Sequence, residues 1–474
     1  MSLNVLLIST YEMGRQPFGL ASPGAWLRQA GFEVRCLDLS IDSLDVPTVQ
    51  AADLIAFYVP MHMGTRMAMP VITQVRQINP QAHLCCYGLY APVSADYLRR
   101  LGIDTILGGE FEAGLLALAQ RRDEEAKRRG GEAAKRHLAA SSRHHVTASS
   151  LPFISLNRQN FLRPDRTGLP DLTKYAHLIT GNGEQVTVGY TEASRGCKHL
   201  CRHCPIVPVY GGRFRIVQPE VVLADIRQQV AAGAGHITFG DPDFFNGPGH
   251  AIPLVTALHQ EFPHLTYDVT IKVEHLLKHR QHLETLKQTG CLFITTAVES
   301  FDERILSIFD KRHTQEDFVA ALNLCRQADL LLIPTFVAFT PWTTLAGYRA
   351  FLAELVRLNL VDQVSPIQCA IRLLIPPGSR LLELPEVQSL VKGLDEVKLS
   401  YIWRNPDPRV DELQQDLEVL VQRCAAQHVP RREVFHCVWE RAYQDIGDAE
   451  GVVPFPELPP VSRFVPYLTE PWYC

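Results

Sequence analysis

Two runs of alternating strand and helix patterns, divided by a charged segment poor in large apolar residues, constrain this chain more than any other feature. In the first run, β-rich stretches at Asn4–Ser9, Glu33–Leu39, Asp53–Tyr58, His83–Gly88 and Asp104–Gly108 are separated by amphipathic stretches near 20–31, 65–79, 92–102 and 111–121. Neighbouring strands joined by a helical crossover must run parallel. Residues 1–120 are therefore expected to form an α/β fold, a flavodoxin-like doubly wound parallel sheet with helices on both faces. The segment 121–150 carries many charges with Gly and Ser. It reads as a frayed helix end followed by a flexible linker, and residues 121–184 as the connection to the second run.

In that second run the strand candidates are Gln185–Glu192, His236–Gly240, Thr266–Lys272, Leu292–Glu299, Leu331–Thr340 and Val364–Leu374. Helical patterns fall near 219–232, 249–262, 275–289, 314–328 and 345–359. Six β/α units fall short of the eight that close a full barrel. Residues 185–385 are thus expected to form a partial (β/α)6 barrel with its site at the C-terminal strand ends. Residues 386–474 read as a mostly helical segment with an irregular tail rich in proline and aromatic residues. No fixed-period repeat points to a solenoid.

Composition narrows the function. The chain has 474 residues, 46% of them hydrophobic, enough for two or three cores. Its net charge of −5, from 46 basic and 51 acidic residues, argues against a nucleic-acid partner. No apolar run reaches the roughly 18–20 residues that cross a bilayer, and MSLNVLLIST enters a strand pattern without a basic leader. A cytoplasmic protein with no membrane partner is expected. Twelve cysteines without a secretory signal favour metal or redox chemistry over a disulfide framework.

Three of them, Cys197, Cys201 and Cys204, stand in C-x-x-x-C-x-x-C spacing just past the first barrel strand. One short loop can present three thiolates to a face of an iron–sulfur cube. With no fourth cysteine close by, one iron would stay open to a small molecule, as catalytic metal sites require. A zinc knuckle completed by His199 or His203 is the competing reading. Cys36, Cys85, Cys86, Cys291 and Cys325 fit as small apolar core residues, and the side on which Cys369 lies is left open.

On this triplet and its place in a β/α series, residues 185–375 resemble the radical S-adenosylmethionine (SAM) superfamily. The resemblance implies a [4Fe-4S] cluster on Cys197, Cys201 and Cys204, an open iron that chelates SAM, and reductive cleavage to a 5′-deoxyadenosyl radical. It puts His203, before the last cysteine, near the adenine. Gly240, Asp241 and Asp243 occupy the place of the family's glycine-rich acidic motif, although Gly-Gly-Glu is absent, which leaves open which aspartate meets the SAM amino group. Glu299, followed by Ser300, ends the fourth strand where ribose hydroxyls are held. Helix capping is the alternative for Asp241, Asp243 and Ser300. Lys272 and Arg372 are candidates for the cofactor carboxylate or the substrate, with surface solvation the alternative for Lys272.

A doubly wound domain ahead of such a barrel resembles the cobalamin-binding subgroup. Pro60-Met61-His62-Met63, Tyr87-Gly88-Leu89-Tyr90 and Gly108-Gly109-Glu110-Phe111-Glu112 carry this likeness. It implies a corrin at these strand ends, with Gly88, Gly108, Gly109 and Glu110 close to it and His62 as a candidate contact. There is no Asp-x-His-x-x-Gly, hence no lower-axial histidine, and a domain that binds no cofactor is the alternative.

The terminal Thr469-Glu470-Pro471-Trp472-Tyr473-Cys474 resembles radical SAM proteins with Cys-Cys-Ala-Glu-Pro or Cys-selenocysteine-Ala-Glu-Pro tails. On that likeness the reading frame is expected to continue through a selenocysteine codon. Cys437 and Cys474 become candidate catalytic thiols, with Cys424 beside them or merely structural. The expected activity is reductive SAM cleavage for cobalamin-assisted methyl transfer, or another radical group transfer, on a small molecule. Its electron donor would be a flavodoxin or ferredoxin. Aminocarboxypropyl transfer to arsenic or selenium, and a non-enzymatic cobalamin sensor, are the alternatives. A tRNA methylthiotransferase would need a second cysteine cluster and a basic appendage, neither of which is evident.

Overall fold

A computed structural model describes residues 3–135, 153–181, 183–444, 454–461 and 463–470, and the chain divides into two compact units, Met1–Tyr175 and Ala176–Cys474. In the first unit the order is β1 (Asn4–Ser9), α1 (Phe18–Gln29), β2 (Glu33–Asp38), α2 (Val46–Ala51), β3 (Leu54–Tyr58) and α3 (His62–Ile78). It continues with β4 (His83–Tyr87), α4 (Tyr90–Val93), α5 (Ala95–Arg100), β5 (Thr105–Gly109), α6 (Glu112–Lys135) and β6 (Ile154–Ser155). The strands form one parallel sheet in the order β2-β1-β3-β4-β5-β6, whose first five follow the doubly wound flavodoxin pattern. Both faces are buried, so the strands read as continuous apolar runs. Leu6, Ile8, Ile55 and Phe57 pack into one core, and Val5, Leu7, Leu54 and Ala56 into the other.

Two features of this unit depart from the sequence expectation. The helix expected to fray near residue 121 continues to Lys135, and Ile154–Ser155 adds a sixth strand beside β5. The linker residues 136–152 lie outside the described residues.

The second unit begins with β7 (His177–Ile179), β8 (Gln185–Thr191), β9 (Ser194–Gly196), α7 (Val207–Tyr210), β10 (Phe214–Ile216) and α8 (Pro219–Ala231). Next come β11 (His236–Phe239), α9 (Pro248–Glu261), β12 (Thr266–Thr270), α10 (Val273–Lys278), α11 (Leu283–Gln288) and β13 (Cys291–Glu299). Then follow α12 (Glu303–Phe309), α13 (Gln315–Gln327), β14 (Leu331–Phe336), α14 (Leu345–Arg357) and α15 (Pro385–Leu390). The remaining elements are β15 (Val391–Asp395), β16 (Ser400–Trp403), α16 (Pro408–Ala426), α17 (Arg431–Tyr443) and β17 (Tyr467–Leu468). A seven-stranded sheet in the order β14-β13-β12-β11-β8-β7-β17 makes the expected half-barrel, with β14 to β8 mutually parallel, β7 antiparallel to β8 and β17 antiparallel to β7.

The sixth strand expected at Val364–Leu374 does not form. Pro366 opens a 3-10 turn to Cys369, and only the Phe339–Arg372 bridge continues the ladder. The Gln368 side chain takes the place of a strand partner, its Oε1 accepting from Phe336 N at 2.8 Å. Residues 386–407, expected to be helical, instead contain the antiparallel pair β15–β16. Part of the tail is ordered too, since Tyr467–Leu468 pairs with β7 and Val465 enters a core with Leu178, Val188, Phe293 and Leu331. Among the described residues no helix is long and apolar enough to cross a membrane.

Candidate active site

The cysteine loop leaves β9 at the C-terminal end of the half-barrel's first strand and is fastened from several sides. β9 pairs antiparallel with β10, closing the loop at its base. Arg202 donates its backbone N–H to the Phe309 carbonyl at 2.9 Å, and its guanidinium reaches the Ser307 and Ile308 carbonyls at 3.1 and 3.0 Å. A cation at the carbonyl end of α12 also suits the helix dipole. From the other side Arg380 donates to the Leu200 carbonyl at 2.9 Å and Ser379 Oγ to the Arg202 carbonyl at 3.0 Å.

Cys197 and Cys201 are buried and Cys204 is half-buried. Burial pushes the Cys204 thiol up to about 12, and the nearby Cys201 and Cys197 add to the rise. A cationic metal would reverse that effect on Cys204 by holding its sulfur as a thiolate. Lys272 supplies positive charge here, its Nζ 3.6 Å from Cys201 Sγ and 3.4 Å from the Lys311 carbonyl. The solvated alternative for Lys272 is thus corrected: it is only 7% exposed. These residues fit an iron–sulfur cluster.

The two aspartates after β11 are occupied differently. Asp241 accepts from Ala193 N at 2.9 Å and from Ser194 Oγ at 2.5 Å, tying the entry of the cysteine loop to the second strand. Burial pushes its carboxyl up to about 7 despite those bonds. Asp243 caps the turn at Phe244–Asn246 and has His275 Nδ1 at 2.6 Å and His199 Nε2 at 3.4 Å. Burial opposes its ionisation, but the two histidines beside it hold it below the ordinary range. One ligand atom each from Cys197, His199 and Asp243 lie within 4.8 Å of one another. Gly240 has no room for a side chain, because a Cβ would stand 1.9 Å from Tyr190 Oη.

Glu299 ends β13 at φ 72°, in the left-handed region. Its Oε1 lies 3.1 Å from His203 Nε2 and 3.3 Å from Lys311 Nζ. Burial works against the charge, yet Lys311 and His203 hold the carboxyl far below its usual range. His203, expected near an adenine, packs on Phe309 with ring centroids 4.5 Å apart.

Sequence reasoning missed His275, Lys311, Asn246 and His313. Asn246 Oδ1 accepts from Lys198 N at 3.2 Å. Burial, then Lys311 and Lys272, push His313 down to about 4, leaving its ring neutral. Asn246 lies 48 residues from Lys198 and Lys311 12 from Glu299, with a helix between the latter two, so no local spacing flags them. Arg372 is committed elsewhere: it bonds Asp411 at 2.7 Å and the Trp403 carbonyl at 2.8 Å, with its guanidinium 3.4 Å from the Trp403 ring centroid.

In the N-terminal unit the candidate residues gather at the strand ends. Thr10 Oγ1 donates to the Gly64 carbonyl at 2.7 Å, joining the loop after β1 to the first turn of α3. A Cβ at Gly108 would meet Pro92 Cγ at 2.2 Å, and one at Gly109 the Ser155 carbonyl at the same distance, so close packing alone demands both glycines. Gly88, at φ 107°, turns the chain after β4, and Glu110 is buried with its N–H on the Ser155 carbonyl. His62 is buried too, its ring edge-on to Tyr90 at 6.3 Å. Cys437 is half-buried on α17; burial, then Cys424 and Glu440, raise its thiol. Cys474 lies outside the described residues.

Residues 191–339 match the radical SAM superfamily. The chain is 24% identical over 334 residues to the hopanoid C-3 methylase of Methylococcus capsulatus, an alignment spanning 69% of this chain and 62% of that protein. Its fold is similar to that of the radical SAM methyltransferase TsrM from Kitasatospora setae, solved with cobalamin and a [4Fe-4S] cluster. The TM-score is 0.64 at 15% identity, over 93% of this chain and 100% of the other. It is similar also to the cobalamin-dependent radical SAM enzyme OxsB, with a TM-score of 0.63 at 13% identity over 92% of this chain and 70% of that one. The three-cysteine loop at the first strand end of the half-barrel thus lies in a radical SAM domain over residues 191–339.

Proposed function

We propose that the protein is a cobalamin-assisted radical SAM methyltransferase acting on a small molecule. The observation that carries this reading is a chain fold, similar to TsrM and OxsB over about nine-tenths of its length, with the three-cysteine loop at the first strand end of its half-barrel. When bound, the cluster and the corrin supply the electron and the methyl carrier.

The chain's own residues do the holding and shielding. Cys197, Cys201 and Cys204 would hold the cluster, and the buried Lys272 ammonium, 3.6 Å from Cys201 Sγ, would offset their charge. Asp243, backed by His199 and His275, braces the turn behind Cys197. Glu299 presents a carboxylate to ribose hydroxyls, held charged by Lys311. The strand ends of the N-terminal sheet, with Gly88, Gly108, Gly109 and Glu110, would hold the corrin. A flavodoxin or ferredoxin is the electron donor.

Cofactor analysis of anaerobically purified protein, followed by incubation with methyl-labelled SAM, tests the proposal. The expected result is about four irons with matching sulfide, one corrin per chain, and loss of the iron when all three cysteines become alanine. Zinc in place of iron, or a full cluster without corrin binding, overturns it.

A further inference from the structure

On the open face of the half-barrel sheet, opposite its helices, a buried histidine–aspartate hydrogen bond stands unused by the site above. Tyr267 directs its hydroxyl to Thr289 at 2.7 Å, and Phe239 packs on Tyr267 edge-on at 5.7 Å, which fixes those residues on the helix side. His236, Thr238 and Asp268 alternate with them and point the other way. His236, 0% exposed, has Nδ1 2.8 Å from Thr266 Oγ1 and Nε2 3.0 Å from Asp268 Oδ1, and Thr238 Oγ1 donates to the same carboxylate oxygen at 2.7 Å. Below, His236 stacks on Phe293 at 6.1 Å over the apolar floor of Leu178, Val188, Leu331 and Val465.

Two donors converge on Asp268 Oδ1, while Oδ2 has no partner among the described residues and is not among the enclosed polar atoms. The Asp268 side chain is nevertheless only 9% exposed. Towards the cysteine loop, the same face is open. In β13, Ile294, Thr296 and Val298 are 0% exposed, whereas Thr295 and Ala297 between them are half-buried, as are Thr270 and Thr335 on the flanking strands. Alternation of this kind in the middle of a sheet marks a cleft lined by hydroxyls, with one carboxylate oxygen at its depth. Accessible and without a donor among the described residues, Asp268 Oδ2 is an acceptor that a ligand entering this cleft can reach.

We propose that Asp268, positioned by His236 and Thr238, is the anchor for a cationic nitrogen, so that the substrate is a polar small molecule bearing an ammonium group, with its reacting end directed up the cleft. The proposal rests on the catalytic reading above and deepens it by naming the substrate class. A hydroxyl-lined cleft ending in a carboxylate suits a charged amine and rejects an all-carbon skeleton, which would leave the carboxylate unpaired.

Benzylammonium and benzoate, alike in size and opposite in charge, are the probes, titrated by ligand-observed NMR into the anaerobically reconstituted full chain. The wild type is expected to bind benzylammonium about tenfold more tightly than benzoate, with that preference lost in Asp268→Asn. Equal binding of the two probes, or a preference that survives Asp268→Asn, overturns the proposal. Should the variant fail to fold, a crystal of the wild type soaked with benzylamine decides: nitrogen within hydrogen-bond distance of Asp268 Oδ2 supports it, and an empty cleft or a ligand elsewhere overturns it. The two readings fail separately. A chain without corrin that binds benzylammonium at Asp268 defeats only methyl transfer, and one with corrin but no charge preference defeats only the amine anchor.

Discussion

His203 Nε2 and Glu299 Oε1 lie 3.1 Å apart, joining the residue before the last cysteine of the loop to the end of the fourth parallel strand. Lys311, 2% exposed, completes the group on the other side of the carboxylate. Removing the carboxylate leaves that ammonium buried without its counter-charge. Glu299→Gln is expected to cost about 3–5 kcal/mol in urea unfolding, with much of the loss recovered in the Glu299→Gln/Lys311→Met double variant. Because the folded carboxyl ionises below its ordinary value, its stabilisation is full above about pH 4–5 and is lost as pH falls further. An unchanged unfolding midpoint in the single variant would show that the pair carries no weight.

Asp241 predicts the opposite pH dependence. Its carboxyl is raised to about 7 by burial, so between about pH 4 and 7 the folded state binds a proton that the unfolded state has released. Stability from this group falls as pH rises through that window, by about 1.4 kcal/mol per pH unit at most. The stability of Asp241→Asn relative to the wild type should therefore climb between pH 4 and 7 and level off above. A constant difference across the range would place the ordinary ionisation back on Asp241.

Gly240 and Gly249 make a matched pair. A methyl at Gly240 would collide with the Tyr190 ring, whereas nothing lies within 4 Å of one at Gly249. Gly240→Ala should lower stability by about 1–3 kcal/mol or more. Gly249→Ala, in the first turn of α9, should be neutral or stabilising by up to about 1 kcal/mol. Thermal melts of the two variants side by side provide the measurement.

Lys272 sits against Cys201 Sγ. If the cluster occupies this loop, Lys272→Gln removes a positive charge beside it and lowers its reduction potential by tens of millivolts, read by EPR-monitored titration. An unshifted potential with full iron content would remove Lys272 from the cluster's environment.

Arg372 separates a structural role from a cofactor role. Its guanidinium pairs with Asp411 and stacks on Trp403, so Arg372→Ala should lower stability by about 1–3 kcal/mol and leave SAM affinity unchanged. A weakened SAM affinity in a protein that still melts normally would return it to the site.

The sequence determined on its own those features whose physics is local. Parallel strands buried on both faces announce themselves as apolar runs between amphipathic helices, and β1, α8 and α9 lie within a residue or two of where the pattern puts them. The C-x-x-x-C-x-x-C loop is legible because its ligands are neighbours in the chain. What the tertiary structure alone decided is how distant segments share a buried charge. His275 reaches Asp243, Lys311 reaches Glu299, and Gln368 satisfies the Phe336 amide that an expected sixth strand would have met. Arg372 looked available because arginine near a strand end is compatible with any anion; only folding supplied Asp411 and Trp403. Hydrophobic periodicity reports which face of an element is buried, but partner choice for a buried polar group depends on which segments packing brings within about 3 Å, a distance that local spacing does not encode.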